Sequence, residues 1–299
     1  MTRLSITPSG PINGEIPIPG DKSITHRAVI FGAMAEGTST IRGYCDGEDC
    51  FRTISAIRAL GISIEERNAE LRVFGKGSWG FSEPQHVLDC GNSGTSMRLL
   101  TGLLSGQDFF SVLTGDASLR QRPMGRIVTP LRQMGATING RKGGELAPLA
   151  IQGTRLRKTS HTSPIPSAQV KSAILIAGLL AEHPTTFCEP ARSRDHTERM
   201  LQYFGVQLEC KSDTMIHLHP SALTARDLTV PGDFSSAAFF IVAGLILPDS
   251  SITIRNVGLN QTRIGLLDIL KTMGASLQTL DIHDDAGEPI GDIHIQSSH

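Results

Sequence analysis

A chain of 299 residues is long for one hydrophobic core, and with 39% hydrophobic and 19% charged residues it can bury a core in each of two domains. Its 28 lysines and arginines against 29 acids leave a net charge of -1, so an anion site must be a local cluster of cations, and a nucleic-acid partner is disfavoured. Five cysteines, odd in number and without a C-x-x-C, suggest neither a disulfide framework nor a zinc ribbon.

The N-terminus, MTRLSITPSG, has no apolar stretch of signal-peptide length, and the longest apolar run, Ala237 to Leu247, is too short to span a bilayer. A cytoplasmic location without a membrane partner is expected. From Pro17 the chain reads PIPGDKSITHRAVIFGAMAEGTSTIRG: a Pro-Gly-Asp turn, a helix starting near Ser23, and a strand ending in Ile-Arg. Ser23 and Arg27 are four apart, hence on one helical face, where hydroxyl and guanidinium could grip one carboxylate. Lys22 on the adjoining turn could hold a phosphate or exchange a proton. The same residues also suit a capped surface helix with solvated charges.

The next helix ends at Gly61, in ISAIRALGISIEE. A glycine-rich loop from Cys90, CGNSGTSMR, then precedes an apolar helix; its small residues let main-chain N-H groups approach a ligand, although it matches neither a Walker A loop nor a dinucleotide fingerprint. GDASLRQRPMGR supplies Arg120, Arg122 and Arg126, of which the proline favours Arg122 pointing toward an anion. Another apolar helix opens at Ser167-Ala168-Gln169, and a further one near Ser193-Arg194-Asp195-His196. Ser193, Asp195 and His196 are adjacent in sequence and lack a nucleophile elbow, so they are not read as a hydrolase triad. His217 and His219 have no third ligand in reach, and His283, Asp284 and Asp285 are expected in an exposed turn.

The chain repeats itself. VPGDFSSAAFFIVAGLILPDSSITIRN, from Val230, matches the segment from Pro17, and the stretches from Cys90 and Pro164 follow the same plan more loosely. A helix ending in glycine before a short strand recurs at Gly61, Gly135, Gly205 and Gly274, spaced 74, 70 and 69 residues apart. Each glycine fits a left-handed helix C-cap. Four α/β units are therefore predicted, and the equivalent helix N-termini, at Asp21 to Ser23, Gly91 to Thr95, Ser167 to Gln169 and Asp233 to Ser236, are candidate anion binders.

The strings PGDKSITHRA, GNSGTSMRLLTG, GDASLRQRPMGR, SAQVKSAILIAGL and SRDHTERML, in this order, resemble the 5-enolpyruvylshikimate-3-phosphate synthases over essentially the whole chain. The resemblance implies an α/β fold of repeated βαβαββ units in two domains, an inside-out α/β barrel with four of six units present. Residues 1–20 and 231–299 would belong to the first domain and 21–230 to the second. It implies transfer of the enolpyruvyl group of phosphoenolpyruvate to the 5-hydroxyl of shikimate 3-phosphate, the glyphosate-sensitive step of the shikimate pathway to aromatic amino acids, with no metal or organic cofactor. Carried over by position, Lys22 is expected to contact both substrates and assist proton transfer, with Asn92, Gly94, Thr95, Arg122 and Gln169 at phosphoenolpyruvate. Ser23, Arg27, Ser167, Ala168, Gln169 and Arg194 are expected around shikimate 3-phosphate; many relatives have serine where Ala168 stands, so only a main-chain contact is implied there. The family's acid/base carboxylates, a further lysine and additional arginines would follow His299, so the chain is expected to be C-terminally incomplete, to need a complementing segment for turnover, and to be monomeric when complete. The related UDP-N-acetylglucosamine enolpyruvyl transferases fit less well, because their lysine-asparagine motif is replaced by Asp21-Lys22-Ser23 and their loop cysteine is absent between Arg120 and Arg126. A non-catalytic anion-binding relative is the alternative of another class.

Overall fold

The computed structural model describes residue 5 and residues 10–298. The chain splits into two compact units, one built from its two ends, 1–19 and 231–299, the other from the continuous segment 20–230. Strand β1 (Asn13–Pro17) precedes four repeats. The first comprises α1 (Lys22–Met34), β2 (Ala35–Arg42), α2 (Glu48–Ala59), β3 (Ser63–Arg67) and β4 (Glu70–Lys76). The second runs β5 (Leu88–Asp89), α3 (Gly94–Ser105), β6 (Phe110–Thr114), α4 (Gly125–Gln133), β7 (Thr137–Gly140), a short helical turn α5 (Arg141–Gly144) and β8 (Leu146–Gln152). The third comprises β9 (Ser160–Thr162), α6 (Ala168–Leu179), β10 (Thr185–Cys188), α7 (His196–Tyr203), β11 (Leu208–Ser212) and β12 (Met215–Leu218), followed by the short strands β13 (Leu223–Thr224) and β14 (Leu228–Thr229). The last repeat has α8 (Phe234–Ile246), β15 (Ser251–Gly258), α9 (Gly265–Thr272), β16 (Leu277–Asp285) and β17 (Glu288–Gln296). His283, Asp284 and Asp285 thus lie on the end of β16, paired with β17, and not in a turn.

Each repeat forms one sheet with the same topology: a leading strand parallel to the strand after the first helix, which pairs antiparallel with the last strand, itself antiparallel to the one before it. Orders β5-β6-β8-β7 and β9-β10-β12-β11 are complete in sequence. In the other two sheets the leading strand comes from far away. β1 pairs parallel with β15, and β13 and β14 pair parallel with β2. The leading strand of the last repeat therefore opens the chain, while that of the first repeat is made where the chain leaves the 20–230 unit.

Local chemistry sets the helix ends. The first helix of every repeat starts on a side-chain cap: Asp21 accepts from Ile24 N-H, Ser93 from Ser96, Ser167 from Val170 and Asp233 from Ser235. The second helices stop at Gly61, Gly135, Gly205 and Gly274, all at positive φ between 86° and 109°, where a Cβ would be strained.

Within 20–230, α1, α3 and α6 are buried along nearly their whole surface, as helices that are apolar all round must be. The approach of α3 to α6 depends on Gly102, where a Cβ would lie 2.3 Å from the Ala173 carbonyl oxygen. In the other unit Phe234, Ile241, Leu245, Ile252, Ile254 and Ile293 form the core. The equivalent helix there, α8, is just as apolar but leaves Phe239 81% and Ile246 70% exposed.

Candidate active site

The N-terminal ends of α1, α3 and α6 meet around a cavity of about 140 Å³ lined by Lys22, Ser23, Arg27, Thr95, Ala168, Gln169, Arg194 and His196. Three cations therefore face a space bordered by helix N-termini, whose unpaired N-H groups and positive dipole ends also favour negative charge. A larger cavity, of about 410 Å³, lies at the opposite ends of α3 and α6, by Gly106 and Leu180, with Asp108, Glu182 and Arg155 around it. Helix C-termini and two carboxylates make that space hostile to an anion, so size does not select the site here.

Arg27 is 3% exposed, yet its charge is well satisfied. Nε donates to Thr197 Oγ1 at 2.7 Å, one terminal nitrogen to Ser23 O at 2.7 Å, and the other to Ser172 Oγ at 2.6 Å. The fork is thereby fixed by α1, α6 and α7 before any ligand arrives. Lys22 is held differently, on the solvent side, by Asp49 Oδ2 at 3.0 Å.

A second set of residues adjoins the cavity through Gln169. Its amide group donates to Thr95 Oγ1 at 2.9 Å, and its carbonyl accepts from Arg98 Nη1 at 2.7 Å. Arg98 also donates to Pro123 O at 3.1 Å. Burial, then the like charges of Arg122 and Arg126, make its protonated form less favourable than usual, a repulsion that a bound anion would relieve. Arg122 donates to Asn92 Oδ1, and Asn92 Nδ2 donates to Asp116 Oδ2 at 2.7 Å. Gly94 stands between the two arginines: a Cβ there would lie 2.7 Å from Arg98 Nη1 and 3.2 Å from Arg122 Nη1.

Of the residues expected from sequence, Lys22, Ser23, Arg27, Thr95, Ala168, Gln169 and Arg194 line one cavity. Ser167 caps α6 beside it, its hydroxyl accepting from Val170 N-H at 3.4 Å. Asn92, Gly94 and Arg122 form the adjoining cluster, with Arg98 joining it to Gln169. Arg120 and Arg126 do not line the cavity, although the charge of Arg126 reaches Arg98. Two residues were missed. Arg98 follows Gly94 by four, the spacing that singled out Arg27 after Ser23, and that parallel would have found it. His196 was noticed only as a member of a triad, and the triad does not form: Ser193 Oγ donates to Glu189 Oε1 at 3.0 Å, while Asp195 pairs with Arg192 and Arg199. His217 and His219 stack edge-on with ring centroids 4.8 Å apart, and no group of three or more metal-ligating side chains occurs among the described residues.

Residues 6–296 match the sequence profile of the family described as EPSP synthase (3-phosphoshikimate 1-carboxyvinyltransferase). The chain is 53% identical over 298 residues to the 3-phosphoshikimate 1-carboxyvinyltransferase of Citrifermentans bemidjiense, covering 100% of this chain and 70% of that protein. It is 50% identical over 298 residues to the enzyme of the same name from Geobacter sulfurreducens, again over 100% of this chain and 70% of the relative. The structure of EPSP synthase from Acinetobacter baumannii superposes with a TM-score of 0.91 at 46% identity, over 97% of this chain and 66% of that one.

Proposed function

The chain belongs to the EPSP synthase family, the 3-phosphoshikimate 1-carboxyvinyltransferases of the shikimate pathway, and from that premise we propose that the cavity at the N-termini of α1, α3 and α6 takes shikimate 3-phosphate, with phosphoenolpyruvate against the Gly94–Arg122 side. The family reaction transfers an enolpyruvyl group from phosphoenolpyruvate to the 5-hydroxyl of shikimate 3-phosphate and releases phosphate. The observation that carries the reading is the convergence of Lys22, Arg27 and Arg194 on one cavity bordered by helix N-termini.

In this reading Arg27 and Ser23 hold the shikimate carboxylate, while Ser167, the Ala168 main chain, Gln169 and Arg194 surround the rest of the phosphorylated ring. Gln169 touches both substrates, as its bonds toward Thr95 and Arg98 suit it to do. Lys22 contacts both substrates and helps move the proton to the methylene of phosphoenolpyruvate. The shikimate hydroxyl then adds to the cationic carbon and gives up its proton, and departure of phosphate together with a proton of the new methyl group restores the enol double bond. The cations offset repulsion between two phosphorylated substrates and hold them at attack distance. Asn92, Gly94, Thr95 and Arg122 form the wall on which phosphoenolpyruvate rests.

The two compact units correspond in this reading to the two domains of the family, one with three repeats and one holding the repeat after Val230. No helix among the described residues is long and apolar enough to cross a membrane. Five free cysteines suit a reducing compartment and support a cytoplasmic location.

Calorimetric titration of the chain with shikimate 3-phosphate tests the proposal. The chain should bind, and Arg27→Ala should weaken binding by at least about a hundredfold, the loss of a charge-assisted pair of about 3 kcal/mol. Equal affinities in the two proteins would refute the assignment of Arg27.

A further inference from the structure

The loop that brings Arg194 and His196 to the cavity rests on a buried ionic cluster with no role in the reading above. Lys171 lies four residues after Ser167 on α6, and its side chain is 1% exposed. Its ammonium donates to Glu189 Oε1 at 2.9 Å, to Glu198 Oε1 at 2.7 Å and to the Ser193 carbonyl at 3.3 Å. Glu189 follows β10 directly, and the same Oε1 also accepts from Ser193 N-H at 2.9 Å and from the Ser193 hydroxyl at 3.0 Å. Glu198 stands in the first turn of α7.

The cluster therefore fastens three points of the chain, at 189, 193 and 198, on either side of Arg194 and His196. Among the described residues neither carboxylate has a hydrogen-bond partner for its second oxygen, so the buried charge of each is balanced chiefly through Lys171. Burial raises the Glu198 carboxyl above its usual range, against the pull of Lys171. Burying three charged groups is a costly way to hold a core together, since apolar residues of similar volume often do so as well or better. What the ionic arrangement supplies is direction. Lys171 and Glu189 fix the main chain at Ser193, the residue that precedes Arg194.

We infer that Lys171 and Glu189 are positioning residues for the anion site, setting the 189–198 loop so that Arg194 reaches the phosphorylated ligand. The inference rests on the proposed shikimate 3-phosphate site. A double-mutant cycle measured by titration of the chain with shikimate 3-phosphate separates it from a general packing role. Arg194→Ala and Glu189→Ala should each weaken binding about tenfold, and the double variant should bind within about twofold of Arg194→Ala, because Glu189 acts through Arg194. Unchanged affinity in folded Glu189→Ala, or a loss near a hundredfold in the double variant, would overturn the inference. Should Glu189→Ala not fold, Glu189→Gln replaces it in the cycle. It keeps an acceptor for Ser193 and leaves Lys171 paired with Glu198, and a three- to fivefold loss that disappears in the Arg194→Ala background is then expected. If the unmodified chain fails to bind, the proposed function falls and this inference with it. If it binds and only the cycle is additive, the inference falls alone.

Discussion

Gly94→Ala is a small perturbation with a calculable conflict. Gly94 is the first residue of α3, its φ is not in the left-handed region, and alanine suits the backbone there. The difficulty lies in the side chains, because the new methyl carbon would sit 2.7 Å from Arg98 Nη1 and 3.2 Å from Arg122 Nη1. The first contact is too close, so the tip of the Arg98 side chain must shift, which strains its 2.7 Å bond to Gln169 and at the limit breaks it. A hydrogen bond to a charged group contributes about 1.5 to 3 kcal/mol, whereas stiffening the unfolded chain by replacing glycine returns about 0.4 to 1 kcal/mol. Outright loss of the bond therefore nets about 0.5 to 2.6 kcal/mol of destabilisation, and a strained but surviving bond less. For a unit of this size that lowers the melting temperature by up to about 10 °C. Differential scanning fluorimetry of Gly94→Ala, Arg98→Met and the double variant measures it. With Arg98 shortened the obstacle is gone, so Gly94→Ala should then be neutral or slightly stabilising. An equal loss in both backgrounds would show that the clash with Arg98 is not the cause.

Glyphosate is slightly longer than phosphoenolpyruvate, and in the proposed site the same methyl should weaken glyphosate more, by about 1 to 3 kcal/mol of mismatched packing; titrations of both ligands in the presence of shikimate 3-phosphate check the ratio, and equal losses would place Gly94 away from the ligand. His26 is fully buried and its pKa falls to about 3, chiefly through burial and then through Arg27. Between pH 3 and 6.5 the unfolded chain binds the proton and the folded one does not, so His26 lowers stability as pH falls through that window, by about 1.4 kcal/mol per pH unit, and contributes no slope above it. His26→Asn should flatten the urea-unfolding free energy over pH 4.5 to 6 by nearly one proton, and an unchanged slope would exclude His26 as the cause. Cys90 is buried, with a thiol pushed up to about 12 by burial, and Cys50 is buried with its thiol also raised; a thiol reagent at pH 8 should label exposed Cys210 first and reach Cys50 and Cys90 only on unfolding, as peptide mapping would reveal.

What could be read in advance was local. A Ser or Asp cap and a C-terminal glycine act within one turn of helix, so the four starts at Asp21, Ser93, Ser167 and Asp233 and the four stops at Gly61, Gly135, Gly205 and Gly274 are visible in sequence. Arg27 is marked in the sequence by its spacing from Ser23 on one helical face, and the role of Gln169 only by the family resemblance. Arg98 has the same spacing after Gly94, but a glycine offers no hydroxyl to mark the pair, and its bond to Gln169 on α6 shows only in the fold. The strand exchange was also hidden: β13 and β14 have two residues each, too few to show a period-two pattern, and their partner β2 lies nearly 190 residues earlier. The cluster at Lys171 was invisible for the opposite reason, since a lysine in an apolar helix announces burial only after its two carboxylates have been located.

The distant origin of β1 bears on how the protein is made. Its residues, Asn13 to Pro17, pair with Ser251 to Arg255, and Ile12 N-H and Asn13 Oδ1 add bonds to Ser250 and Ser251. On a ribosome adding about 5 to 20 residues per second, the strand waits on the order of 10 to 50 s for that partner. The segment 20–230 needs nothing from outside itself to complete its three sheets, since β13 and β14 close the first of them before Val230. Synthesis thus finishes the 20–230 unit while the first strand of the other is still unpaired, and Pro11, Pro17 and Pro19, which cannot donate to a ladder, limit what else that strand can join meanwhile.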